Sequence, residues 1–129
     1  MIPNFRAWDN HFKVMYEVKS IVYTLGSMLC VNRNALYPER TLYFEDAPLM
    51  QSTGILDNNG VEIFEGDIIK ATYKSDYYDF DREYIGEIKY IGSSWMVVSN
   101  SELMWLITDF DTNEVIGNIY ENPELLEEG

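Results

Sequence analysis

The sequence predicts an all-β chain, a sandwich or small barrel of short antiparallel strands. Three observations lead there. Tyr, Val, Ile, Phe, Trp and Thr gather in short runs, and these side chains suit a pleated, half-buried surface. Clusters of Gly, Asn, Asp, Ser and Pro interrupt the runs roughly every eight to twelve residues, the spacing of hairpin turns. Several runs also alternate apolar and polar residues with a period of two, as a strand with one buried face requires.

Phe5, Ala7 and Trp8 open a first hairpin that turns at Asp9-Asn10-His11. Phe12, Val14, Tyr16 and Val18 then alternate with Lys13, Met15, Glu17 and Lys19. Ser20 to Leu25 is a β-branched run, broken by Gly26-Ser27, with Met28 to Val31 as its return. Residues 32–40 read as a loop, and Thr41 to Glu45 as a short strand. Asp46-Ala47-Pro48 marks the expected boundary between an N-terminal antiparallel β region, 1–47, and a core, 48–129.

Gly54 to Lys70, GILDNNGVEIFEGDIIK, is the stretch that organises the core. Asn59-Gly60 predicts a two-residue type I′ turn, which needs positive φ at both central residues. Asp57 and Asn58 are expected to bond that turn's backbone. Glu65-Gly66-Asp67 turns the chain again into Ile68, Ile69, Ala71 and Tyr73. Residues 74–82 form a polar, aromatic loop. Tyr84 to Ile91 alternates, Gly92-Ser93 turns, and Ser94 to Ser99 reads as a buried strand. Leu103 to Ile107 is apolar throughout, so periodicity leaves a buried strand and one helical turn both open. Glu114 to Tyr120 is the last strand, with Val115, Gly117 and Ile119 on one face. Asn122-Pro123-Glu124 predicts a short C-terminal helical turn, with Asn as cap and Pro in the first helical position.

The 129 residues suit one compact domain, and 47% hydrophobic residues exclude a disordered chain. Charge is uneven. Residues 1–60 hold five basic and six acidic side chains, residues 61–129 four and sixteen, and from Glu102 onward there is no Lys or Arg. That field repels phosphate backbones and attracts basic surfaces, while also keeping copies of the protein soluble. Cys30 is the single cysteine, which rules out an internal disulfide and a cysteine zinc site. No window approaches the ~20 apolar residues of a membrane span. The N-terminus lacks a signal-peptide core. The expectation is a soluble protein of the cytoplasm.

Leu49 to Lys70 and EVIGNIYENPELL (Glu114 to Leu126) resemble the signature blocks of the YopX family of phages and prophages. FRAWD (Phe5 to Asp9) with VMYEV (Val14 to Val18) resembles the family's opening block. Ser52 stands where the family usually has an aromatic residue, and Ile55 where leucine is commoner. The resemblance implies an SH3-like barrel as the main part and action in a bacterial host cell. It supplies no activity and no catalytic residues.

Candidate chemistry is sparse. His11, the only histidine, sits in a predicted turn and reads as a surface residue. Cys30 reads as a buried apolar thiol. Glu65 and Asp67 flank Gly66 closely enough to share a proton or cation, though turn formation accounts for them. Asp76, Asp79, Asp81 and Glu83 form a dense acidic loop whose spacing does not fit a calcium loop. Trp8, Trp95 and Trp105 read as core. Tyr77, Tyr78 and Phe80, three aromatics in that polar loop, either fold back on the barrel or form an exposed surface, in which case they are the candidate partner contacts. No catalytic, cofactor-binding or metal residue is assigned.

The expected function is a non-enzymatic binding or assembly module with a host or phage protein as partner, homo-oligomerisation being a second expectation. Alternatives are a single-stranded nucleic-acid-binding barrel, which the charge opposes, and an acidic DNA mimic. An enzyme would need a metal held by carboxylates alone.

Overall fold

The computed structural model describes residues 4–74 and 81–128, and over these the protein is all-β. The strands are β1 (Phe5–Asp9), β2 (Val14–Val22), β3 (Ser27–Val31), β4 (Glu39–Tyr43), β5 (Leu49–Leu56), β6 (Glu62–Phe64), β7 (Asp67–Tyr73), β8 (Arg82–Ile91), β9 (Ser94–Val98), β10 (Met104–Leu106) and β11 (Thr112–Asn118). Two 3-10 turns, Ile107–Asp109 and Pro123–Glu128, complete the set. No helix among the described residues is long and apolar enough to cross a membrane. The chain divides into two compact units, Met1–Ser52 and Thr53–Gly129, with the passage from one to the other inside β5.

In the N-terminal unit the strand order is β4-β3-β2-β1-β5. The β1–β2 hairpin pairs Ala7 with Tyr16 and Asp9 with Val14, as the period-two pattern requires. Val14 to Val22 is one nine-residue strand, because a bulge between Val18 and Ser20 absorbs the break in alternation. The register places Ala7, Tyr16, Met28, Cys30 and Leu42 on one face, where they form the core with Ala47.

In the C-terminal unit the second half of β5 runs beside β6. A separate antiparallel sheet has the order β10-β9-β8-β7-β11. Its core is aliphatic: Ile63, Ile69, Ala71, Ile88, Val97 and Ile107. Gly86 permits a close approach of neighbouring strands. A Cβ there would lie 2.7 Å from Val97 Cγ1 and 2.8 Å from the Val98 carbonyl oxygen. Neither sheet closes on itself among the described residues, so the all-β class holds while the barrel closure implied by the resemblance is not seen.

The turns show where local rules decide. Gly60 has φ +80°, but Asn59 does not enter the left-handed region, so this is not the expected type I′ turn. Asp57 dictates the outcome instead. Its Oδ1 accepts the amides of Asn59 and Val61, both at 2.8 Å, and a wider loop wraps around that carboxylate. Positive φ at two consecutive residues occurs at Gly92 (+60°) and Ser93 (+67°), between β8 and β9. At Glu65-Gly66-Asp67 the turn forms as expected, with Asp67 Oδ2 accepting the Phe64 amide at 2.8 Å.

Leu103 to Ile107 resolves its ambiguity in sequence: Met104–Leu106 is a strand and Ile107 begins a 3-10 turn. In β11 a register shift between Val115 and Gly117 breaks the expected single face, and the strand ends at Asn118. The Asn118 side chain then accepts the amides of Tyr120 and Glu121, and Asn122 Oδ1 accepts the Asn118 amide. This side-chain scaffold carries the chain into the C-terminal turn.

Candidate functional site

Asp9 sits at a cleft in the N-terminal unit. It ends β1 almost fully buried, and its Oδ1 accepts the amides of His11 (2.9 Å) and Phe12 (3.3 Å). Its Oδ2 accepts a 2.6 Å hydrogen bond from Arg40 Nη1, within an ion pair. The Arg40 guanidinium lies over the Phe12 ring, 4.6 Å from its centroid. A cleft of about 590 Å³ opens beside this pair, lined also by His11, Tyr43, Glu45 and Asp46. The sequence places Arg40 in a loop. It is instead the half-buried counter-ion of a turn, placed in β4, and nothing local in the sequence pairs it with Asp9, 31 positions away.

The sequence candidates behave as structural parts here. His11 is exposed and packs edge-on to Phe12, with ring centroids 4.6 Å apart. The Cys30 thiol is fully buried and is pushed up to about 11, mainly by burial, with Asp9 adding and Arg40 opposing. A thiol held protonated at neutral pH is a poor nucleophile. The Tyr16 hydroxyl is also raised by burial, and it donates to the Tyr37 carbonyl at 2.9 Å.

Asp57 is the corresponding carboxylate of the C-terminal unit. Besides its two turn amides, its Oδ2 accepts the Val115 amide at 2.9 Å. Burial alone would raise this carboxyl, but the amides of Val115, Val61 and Asn59 together outweigh it and hold it below the ordinary value. Asn58 strengthens the same junction: its amide donates to the Asn113 carbonyl and its Oδ1 accepts the Asn113 amide. Sequence reasoning assigned Asn58 to its own turn, whereas it reaches β11.

The C-terminal unit also leaves part of one sheet face open. Register sets Met104 opposite Val98 and Leu106 opposite Met96, so these four share the face away from the core. Met104 is 53% exposed and Leu106 40%. On the core side, Trp105 stacks on Tyr84 with centroids 4.5 Å apart. Towards β8 the 3-10 turn Pro123–Glu128 lies against the strand. Towards β10, the edge strand, Met104 and Leu106 stay exposed, while Met96 and Val98 on β9 are half-buried. Glu87 sits beside Val98 at its margin, its carboxyl raised chiefly by desolvation, with Lys89 opposing and Glu65 adding.

Of the three tryptophans, Trp8 is buried, while Trp95 and Trp105 are half-buried. Tyr77, Tyr78 and Phe80 lie outside the described residues, as do Asp76 and Asp79 of the acidic loop. Among the described residues, no three His, Cys, Asp or Glu side chains gather as a metal-ligand set. The exposed Met-Leu row had no sequence signal, because an all-apolar run does not tell which side chains face outward.

None of the curated proteins matches this chain. Among solved structures, it is similar to protein EF1440 from Enterococcus faecalis, with 32% identity and a TM-score of 0.64, covering 98% of this chain and 99% of that one. It also shares its fold with protein yopX from Bacillus subtilis, at 24% identity and a TM-score of 0.57, covering 95% of this chain and 97% of that one. The YopX protein family matches residues 4–127, nearly the whole length, and the chain therefore belongs to that family.

Proposed function

We propose that this protein is a non-enzymatic, phage- or prophage-encoded module that acts inside a bacterial cell by binding a basic surface on another protein. The observation that carries this reading is the row of exposed Met104 and Leu106 beside half-buried Met96 and Val98 on a strongly acidic unit. Flexible methionines suit a surface that must fit a partner, and apolar contact supplies affinity where a charge field supplies encounter. The same field disfavours a nucleic-acid backbone.

The test pairs a probe with a variant. A peptide of alternating Lys and Leu is titrated against the full chain at low and high salt, beside a Glu/Leu peptide. Binding of the basic peptide alone, weakened at least about tenfold by salt and by M104E/L106E, is the expected result. In a lysate pull-down, wild type should retain a basic protein that M104E/L106E loses. Identical captures by both proteins, or equal binding of both peptides, would remove this function.

A further inference from the structure

The N-terminal unit carries a second apolar surface, different in kind. At the β2–β3 end of its sheet, Tyr23 is 75% exposed and Leu25 70%. Phe44 packs near Tyr23, with ring centroids 6.4 Å apart. The register sets Val22, Ser27 and Tyr43 in one row and Leu29 and Thr41 in the next, on the face opposite the core. Val22, Leu29 and Tyr43 are all exposed. The tip is an ordered turn: Leu25 donates to the Val22 carbonyl, Gly26 to the Tyr23 carbonyl and Phe44 to the Gly26 carbonyl. Beside this patch runs β4, which among the described residues pairs only with β3 and so leaves one backbone edge open in the sheet. An exposed edge strand flanked by apolar side chains is a template for another strand.

Charge selects the occupant. Residues 1–52 hold five basic and five acidic side chains, so the whole net charge of −13 belongs to residues 53–129. A neutral surface does not steer an oppositely charged partner. It is, however, the part of this protein where two copies meet without like-charge repulsion.

We infer that this surface joins two copies of the chain, β4 beside β4 in antiparallel order about a twofold axis, with the Tyr23–Leu25 tips covering the joint. A twofold contact uses the same patch on both copies. Centring it on Thr41 pairs all five β4 residues. Glu39 then faces the partner's Tyr43, and Arg40 faces the partner's Leu42, so no like charges are directly opposed. Centring on Glu39 or Arg40 would oppose identical charges.

Sedimentation velocity on the full chain reads the outcome. The expected species has twice the 15.1 kDa chain mass and persists at high salt. Y23E/L25E, at exposed positions that leave folding intact, should weaken dimerisation at least about tenfold. T41C should form an interchain disulfide under mild oxidant, since directly paired strand residues bring Cα atoms within disulfide range. Cys30 is buried and leaves that readout clean. A monomer at every concentration overturns the inference, as does a dimer that Y23E/L25E leaves intact or that T41C fails to cross-link. A dimer dissolved instead by M104E/L106E would assign the joint to the other unit. Binding of the basic peptide is read separately, so either reading can fail alone.

Discussion

The two units solve the same problem, a buried carboxylate at a hairpin turn, with different chemistry. In the N-terminal unit Asp9 is neutralised by a full charge, the Arg40 guanidinium, and by two turn amides. In the C-terminal unit Asp57 is held by three backbone amides. The cores differ in the same spirit. One mixes Tyr16, Met28 and Cys30, and the other is nearly all Ile, Val and Ala. An ion pair ties a turn to a distant strand but leaves a costly orphan when broken. Backbone amides lock Asp57 both to its own turn, through Asn59 and Val61, and to β11, through Val115, without calling on a charge. The unit with no net charge thus uses a charge pair at Asp9, while Asp57, in the unit carrying the whole excess of acid, is held by backbone amides.

That contrast is sharpest under substitution. Arg40→Ala should have the largest effect, about 3 kcal/mol, because Asp9 stays buried without its counter-ion. Hydrogen exchange should show the lost protection concentrated in β1–β4. Equal loss across β7–β9 would erase the distinction between the units. Asp57→Ala comes next, at about 2–3 kcal/mol, since three amides lose an ionised acceptor. Its pH dependence has a fixed sign. The folded carboxyl lies below the unfolded value of ~3.9, so its contribution is present above that pH and is lost as pH falls through the folded value. Asp57→Asn should flatten the acid limb of a melting-temperature profile, and an unchanged limb would show the amides are not the lock.

Glu87 gives the smallest effect, with opposite sign. Its folded value is raised, so the favourable contribution exists below the unfolded value of ~4.3 and is lost as pH rises through the folded one. Glu87→Gln should therefore melt slightly higher than wild type at neutral pH and no higher near pH 4. Were the order reversed, desolvation at the margin of the Met-Leu row would not be the controlling cause.

The sequence by itself determined the all-β class, nearly every strand, the Asp67 turn, the buried Cys30 and the exposed His11. Each follows from alternation, β-propensity or turn chemistry within a few neighbouring residues. Tertiary structure decided what those neighbours cannot encode. It joined Asp9 to Arg40 and Asn58 to Asn113, and it tied Asp57 of the Asn59-Gly60 turn to Val115. It also ran Leu103 to Ile107 as strand and then 3-10 turn, leaving Met104 and Leu106 outward. The physical reason is common to all four. A side chain's best partner, and the face a short apolar run buries, depend on which strand lies alongside, and that strand is supplied by a distant part of the chain.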